Sequence, residues 1–171
     1  IAAIAKSIAP FLRKGAILTD AGSTKRRVVK DIEKARLKGI YFVGSHPIAG
    51  SEKSGIKYSD KDLFKKACCI LTKTKNTNPK AMAALKKFWG RLGMQVVIIP
   101  PDTHDRLLSR ISHLPHAVSV SLANSAGKDG LKFAAGGFKD TTRIASGEPE
   151  LWKDIFFTNR DNLIKDIEIM K

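Results

Sequence analysis

The sequence predicts an α/β fold with a mainly parallel sheet, followed by a region built from helices alone. Three observations predict it. Short continuous runs of Val, Ile and Leu alternate with helical patterns through the first hundred residues, as in strands buried on both faces. The pair Pro100-Pro101 then punctuates the chain. Beyond it only helical periodicity continues.

Each element has its own signal. Ala2 to Leu12 reads as a helix, with Gly15 just past its end. Ala16 to Thr19 is a short apolar run suited to a buried strand. Thr24 to Leu37 is an amphipathic helix with Val28, Val29 and Ile32 facing inward and Gly39 as its stop. Ile40 to Val43 and Ala67 to Leu71 read as the second and third strands. Asn78-Pro79 opens another helix, because proline is tolerated in a first turn. Its apolar positions Met82, Leu85, Phe88 and Trp89 recur at three- and four-residue spacing, and Gly93 follows its end. Met94 to Ile99 is the fourth strand.

The two prolines favour an extended linker. Asp102 or Thr103 then caps a long helix reaching about Asn124, kinked where Pro115 removes a backbone donor. A glycine-containing segment, Ala134 to Phe138, interrupts. A last helix starts near Pro149, with Trp152, Ile155, Phe156, Leu163, Ile164, Ile167 and Met170 on its apolar face. Residue 1 lies inside an apolar helical pattern, and the last helix reaches Lys171 without a Gly or Asn cap. Neither end is therefore expected to be a natural domain boundary.

Composition bounds the possibilities. A chain of 171 residues with 43% hydrophobic content holds one domain or parts of two. No stretch approaches the ~20 apolar residues of a membrane-spanning helix. The opening, Ile1 to Ala9, is interrupted by Lys6 and lacks a basic n-region, so it does not read as a signal peptide. Cys68 and Cys69 are adjacent, and neighbouring side chains of an extended segment point to opposite faces. They read as reduced thiols of a cytoplasmic protein. The net charge of +15 implies anionic partners, either nucleic acid or small carboxylate and phosphate ligands. The cations are spread over helical faces without interleaved aromatics, which disfavours a nucleic-acid module.

Four segments could carry chemistry. Asp20-Ala21-Gly22-Ser23-Thr24-Lys25 falls where a strand ends and a helix begins, the place where open α/β sheets bind ligands. The plainer reading is a helix cap. Gly44-Ser45-His46-Pro47-Ile48-Ala49-Gly50-Ser51-Glu52-Lys53-Ser54-Gly55 also follows a strand. Its histidine, set among glycines and proline, can offer a ring nitrogen near neutral pH or be merely structural. Ser112-His113-Leu114-Pro115-His116 puts two histidines on one helical face, lining a cleft or buried. No third ligand lies nearby, so no metal is expected. Gly136-Gly137-Phe138-Lys139-Asp140-Thr141-Thr142-Arg143-Ile144-Ala145 leaves room for a ligand, and Arg143 can grip a carboxylate with two parallel hydrogen bonds or pair with Asp140. The sequence has no G-x-G-x-x-G, G-x-S-x-G, Walker loop or CxxC.

The order of these segments, followed by L-W-x-D-I-F-x-x-N, resembles the prephenate dehydrogenase family from about Ile17 to Asn162. The second and fourth segments are the specific ones. The resemblance implies a Rossmann-like nucleotide-binding domain, of which residues 1–100 are the later part, and then the start of an all-helical dimerisation domain over 101–171. It also implies a first glycine-rich unit absent from this stretch, without which the isolated fragment is expected to hold the dinucleotide poorly.

The implied reaction oxidises and decarboxylates prephenate or arogenate with hydride transfer to NAD or NADP, in tyrosine biosynthesis. By that resemblance His46 is the catalytic base on the substrate hydroxyl. Ser23 orients His46 and the nicotinamide, and Asp20 and Gly22 belong with Ser23 to the cofactor rim. Arg143 binds a substrate carboxylate. Ser112, His113 and His116 line the cleft, Gly137 gives backbone room, and Ser51 and Glu52 shape the entrance. Trp152 packs beside the site. A homodimer and a small dicarboxylate substrate are the implied partners, with no membrane. The alternatives are another two-domain dehydrogenase of a small acid, or a basic nucleic-acid-binding module without catalysis.

Overall fold

The computed structural model describes residues 1–50 and 56–171. It divides into two compact units, Ile1–Asp105 and Arg106–Lys171.

The first unit alternates helix and strand. Helix α1 (Ala2–Ile8) and a 3₁₀ turn precede β1 (Ile17–Asp20). Helix α2 (Arg26–Ala35) leads to β2 (Tyr41–Ile48), and β3 (Cys68–Thr72), α3 (Pro79–Arg91) and β4 (Gln95–Ile99) follow. The strands lie in the order β1-β2-β3-β4. The β1–β2 and β3–β4 pairings are parallel, whereas β2–β3 is antiparallel. The sheet is thus mainly parallel, as the apolar runs predict.

Strand β2 departs from expectation. It does not stop at Val43 but continues through Gly44, Ser45, His46, Pro47 and Ile48. Its first half pairs with β1, Asp20 opposite Gly44. Its second half pairs with β3, His46 opposite Ile70. A strand flanked on successive halves by two neighbours stays extended despite its glycine and proline. Gly44 is needed for space: a Cβ there would fall 2.6 Å from Thr72 Oγ1 and 3.2 Å from Val29 Cγ2.

The core gathers Val43, Cys69, Leu71, Ala81, Met82, Leu85, Trp89 and Met94 between the sheet and α3. A fully buried Leu such as Leu71 stabilises the fold by about 1.5–3 kcal/mol. Helix α3 starts as its sequence dictates, with Asn78 Oδ1 accepting from Ala81 N–H at 3.0 Å. Phe88, expected inward, is instead 50% exposed and meets Trp89 edge-on. The core face of α3 is already filled by Met82, Leu85 and Trp89.

The second unit is helical. The division falls within α4 (Pro101–Leu108). No extended linker follows β4, because Pro101 itself opens α4 at the position where proline is best tolerated. The expected single helix to Asn124 is broken by a π-helical segment, Ser109–His113, before α5 (Leu114–Ser125). There the N–H of Leu114 reaches back five residues to Ser109 O. Pro115 lies just downstream and supplies no N–H, and the ladder widens beside it.

Helices α6 (Gly127–Leu131) and α7 (Gly136–Thr142), a 3₁₀ turn Arg143–Ser146, α8 (Pro149–Thr158) and α9 (Arg160–Met170) complete the unit. The expected interruption falls at residues 132–135, and Gly136 and Gly137 already belong to α7. The single last helix expected from Pro149 is two, divided at the fully buried Asn159. No helix among the described residues is long and apolar enough to cross a membrane.

Candidate active site

The carboxyl ends of β1 and β2 lie side by side, and the turn after β1 is tied down by Asp20. Its Oδ2 accepts from Gly22 N–H at 3.0 Å and from the Lys25 ammonium, and its Oδ1 accepts from Ser45 N–H at 3.2 Å. Asp20 therefore binds the turn carrying Ser23 to the residue just before His46. Lys25 is fully enclosed. Burial pushes its ammonium down from the usual lysine range, and attraction to Asp20 and Asp105 opposes that shift. Ser23 sits half-buried in this turn, ahead of α2.

His46 stands on β2 at the same rim. Its Nδ1 lies 2.8 Å from Nε2 of His104, a fully buried residue of α4. His104 Nδ1 is in turn 2.8 Å from Asp105 Oδ1. Asp105 also accepts from the first amides around α2: Oδ1 from Lys25 N–H at 2.7 Å and Oδ2 from Arg26 N–H at 2.9 Å. Burial opposes its ionisation, yet the bonds from His104, Lys25 and Arg26 outweigh that and hold the carboxyl below its ordinary range. Beneath the rim, Ser45 Oγ meets Thr19 Oγ1 at 2.6 Å and accepts from Trp89 Nε1–H at 3.2 Å. Cys69 is no nucleophile: burial pushes its thiol up to about 11.

The second unit collects the paired histidines. His113 ends the π segment and is buried; its Nδ1 lies 3.0 Å from Asn159 Nδ2. An amide NH₂ only donates, so Nδ1 is the lone-pair nitrogen of His113. His116 lies on the first turn of α5, stacked on Trp152 with Phe156 beside it. Burial pushes His116 below the usual histidine range, favouring its neutral ring. Ser112 is half-buried in the π segment. Arg143 is exposed on the 3₁₀ turn after α7, and the carbonyl of Gly137, in the first turn of α7, accepts from Thr141 Oγ1 at 2.8 Å.

Asp20, Gly22, Ser23 and His46 thus share one rim, and His113 and His116 share one aromatic and polar cluster. Ser51 and Glu52 lie outside the described residues. Sequence reasoning missed His104, Asp105 and Asn159 as partners of these residues. Asn159 had a signal, since it closes the L-W-x-D-I-F-x-x-N segment. No group of three or more His, Cys, Asp or Glu among the described residues could hold a metal.

A histidine at the carboxyl rim of a mainly parallel sheet, backed by a buried acid, is the layout of an α/β ligand-binding domain, here followed in the chain by a helical unit. The chain belongs to the prephenate dehydrogenase family: the family model for its nucleotide-binding domain matches residues 1–98, and that for its dimerization domain matches residues 100–171. Prephenate dehydrogenase of Bacillus subtilis is 40% identical over 154 residues, covering 86% of this chain and 42% of that protein. Cyclohexadienyl dehydrogenase of Zymomonas mobilis is 33% identical over 168 residues, covering 94% and 57%.

Among solved structures, prephenate dehydrogenase from A. aeolicus, in complex with hydroxyphenyl propionate and NAD+, superposes with a TM-score of 0.92 at 41% identity, over 99% of this chain and 60% of that one. Synechocystis arogenate dehydrogenase gives 0.82 at 33% identity, over 98% and 62%. The chain spans about half the length of the curated relatives it matches.

Proposed function

We propose that the whole protein oxidises and decarboxylates prephenate or arogenate, passing hydride to NAD or NADP. The observation that carries this reading is His46, placed at the carboxyl rim of parallel strands and hydrogen-bonded to the buried His104–Asp105 pair. That rim is where an open α/β sheet receives its ligand. The residues present fit the nicotinamide end of a dinucleotide: the Ser23 hydroxyl stands in the turn that Asp20 ties to β2, beside the start of α2. Bound there, the nicotinamide supplies the hydride acceptor.

The protein's own groups do the remaining work. His46 takes the proton from the substrate's ring hydroxyl as the ring carbon loses hydride. Ser23 orients the hydroxyl. Arg143 holds a substrate carboxylate by two parallel hydrogen bonds. Ser112, His113 and His116 supply polar contacts, with His116 neutral. Gly137 leaves backbone room, Asp20 and Gly22 shape the cofactor rim, and Ser51 and Glu52 close the entrance. The protein acts as a homodimer in the cytoplasm. Ile111, Phe157 and Ile169 are exposed, at 70%, 69% and 73%, and large exposed apolar side chains are the kind that pack between copies.

The test uses the full-length gene product, with prephenate and arogenate each offered with NAD and NADP and reduced nicotinamide read by absorbance. Turnover of either acid supports the reading, and no reduction with any of the four pairs sinks it.

A further inference from the structure

We infer that Asp105 and His104 are positioning residues that fix the ring tautomer of His46, so that its Nε2 carries the lone pair. This rests on the reading of His46 as the base.

The argument follows from which atoms can donate. Asp105 accepts two backbone N–H groups at the start of α2, 2.7 and 2.9 Å away, and an ionised carboxylate is the form that accepts both. A carboxylate has no proton to give, so His104 Nδ1, 2.8 Å from Oδ1, carries a hydrogen. In a neutral ring the other nitrogen, Nε2, then bears the lone pair. That lone pair faces Nδ1 of His46 at 2.8 Å, so Nδ1 of His46 must be N–H. The lone pair of His46 is left on Nε2.

When Nε2 takes a proton, positive charge on His46 is shared through this bond toward His104 and the ionised Asp105. The hydrogen bonds from His104 and from the Lys25 and Arg26 amides favour the ionised form of Asp105. The device is economical: one carboxylate caps α2 and sets the protonation pattern of a histidine on β2. An acid–histidine orientation of this kind is worth about 10⁴-fold in kcat in serine proteases.

The tautomers can be read directly, without substrate, from nitrogen-15 shifts of the histidine rings of this chain at about pH 8, above the ordinary histidine range. The four rings are assigned by single replacement. In the unaltered chain both His46 and His104 should be protonated at Nδ1; His46 protonated at Nε2 instead overturns the proposal, whether or not any variant folds. Asp105→Asn should move the proton of His46 to Nε2. His104→Leu should release His46 to a mixture, whereas His104→Gln, whose carbonyl still accepts from Nδ1–H, should keep the original state. An unchanged His46 in both Asp105→Asn and His104→Leu also overturns it. In the full-length protein, Asp105→Asn should lower kcat about 10²-fold or more with KM little changed. If the tautomers are as stated but His46→Asn leaves turnover intact, the assignment of the base fails and the positioning device stands.

Discussion

Trp152 lies flat on His116, with ring centroids 3.5 Å apart and planes inclined by 6°. Gly147 makes the stack possible. Its backbone is ordinary, at φ −62° and ψ 155°, so glycine is not needed for conformation. It is needed for space: a Cβ would fall 2.5 Å from Trp152 Nε1 and 3.1 Å from His116 Cε1. Gly147→Ala should destabilise the protein by about 1–3 kcal/mol through overpacking. Urea unfolding monitored by tryptophan fluorescence measures it, and an unchanged midpoint would show that the stack is not close-packed.

The buried state of His116 gives stability a pH dependence of definite sign. Its folded pKa is depressed by burial, so below the ordinary value of about 6.5 the unfolded chain binds more protons than the folded one. Stability therefore falls as pH drops through that window. Asp105 acts in the same direction at lower pH: its contribution is complete above about 3.9 and is lost as pH falls through the depressed folded value. The unfolding temperature should be lower at about pH 5.5 than at about pH 7.5, and His116→Gln should shrink that difference. An equal drop in the variant would assign the effect to other groups.

Asn159 divides α8 from α9 and donates to His113 across 3.0 Å while fully buried. Asn159→Ala should cost about 1–3 kcal/mol, because His113 is left with a desolvated, unmatched nitrogen. Thermal unfolding of the variant measures this, and a loss below a few tenths of a kcal/mol would mean that the bond is not formed in solution.

Two substitutions separate chemistry from binding in the full-length protein. His46→Asn should cut kcat by about 10²–10⁴-fold while leaving substrate affinity close to normal. Arg143→Ala should act mainly by raising KM for the dicarboxylate. Initial-rate kinetics distinguish them: unaltered turnover in the first removes His46 as the base, and an unaltered KM in the second removes Arg143 from carboxylate binding.

Periodicity was enough to read β1, α2, β3, α3 and β4 to within a residue or two, because each carries a continuous or one-sided apolar pattern bounded by turn or cap residues. It failed where tertiary contacts decide. Nothing local says that Gly44 to Ile48 should stay extended; the antiparallel partner β3 imposes it. His104-Asp105 reads as an ordinary first helical turn, and its meaning comes from His46, 58 residues away, and from the amides of Lys25 and Arg26. The break at Asn159 is equally silent in the periodicity, since the apolar spacing runs on through it. Motif spacing named Ser23 and His46, which share one rim, and His113 and His116, which share one cluster, whereas His104 and Asp105, which bond in series to His46, carried no such signal.

The change of partner halfway along β2 makes that strand a ruler. Successive side chains face opposite sides of a sheet, so gaining or losing one residue between Tyr41 and Ser45 would turn the imidazole of His46 away from His104. In relatives sharing this fold, the spacing of those five positions should tolerate change less than their chemistry does, and substitutions should accumulate there long before a single insertion survives.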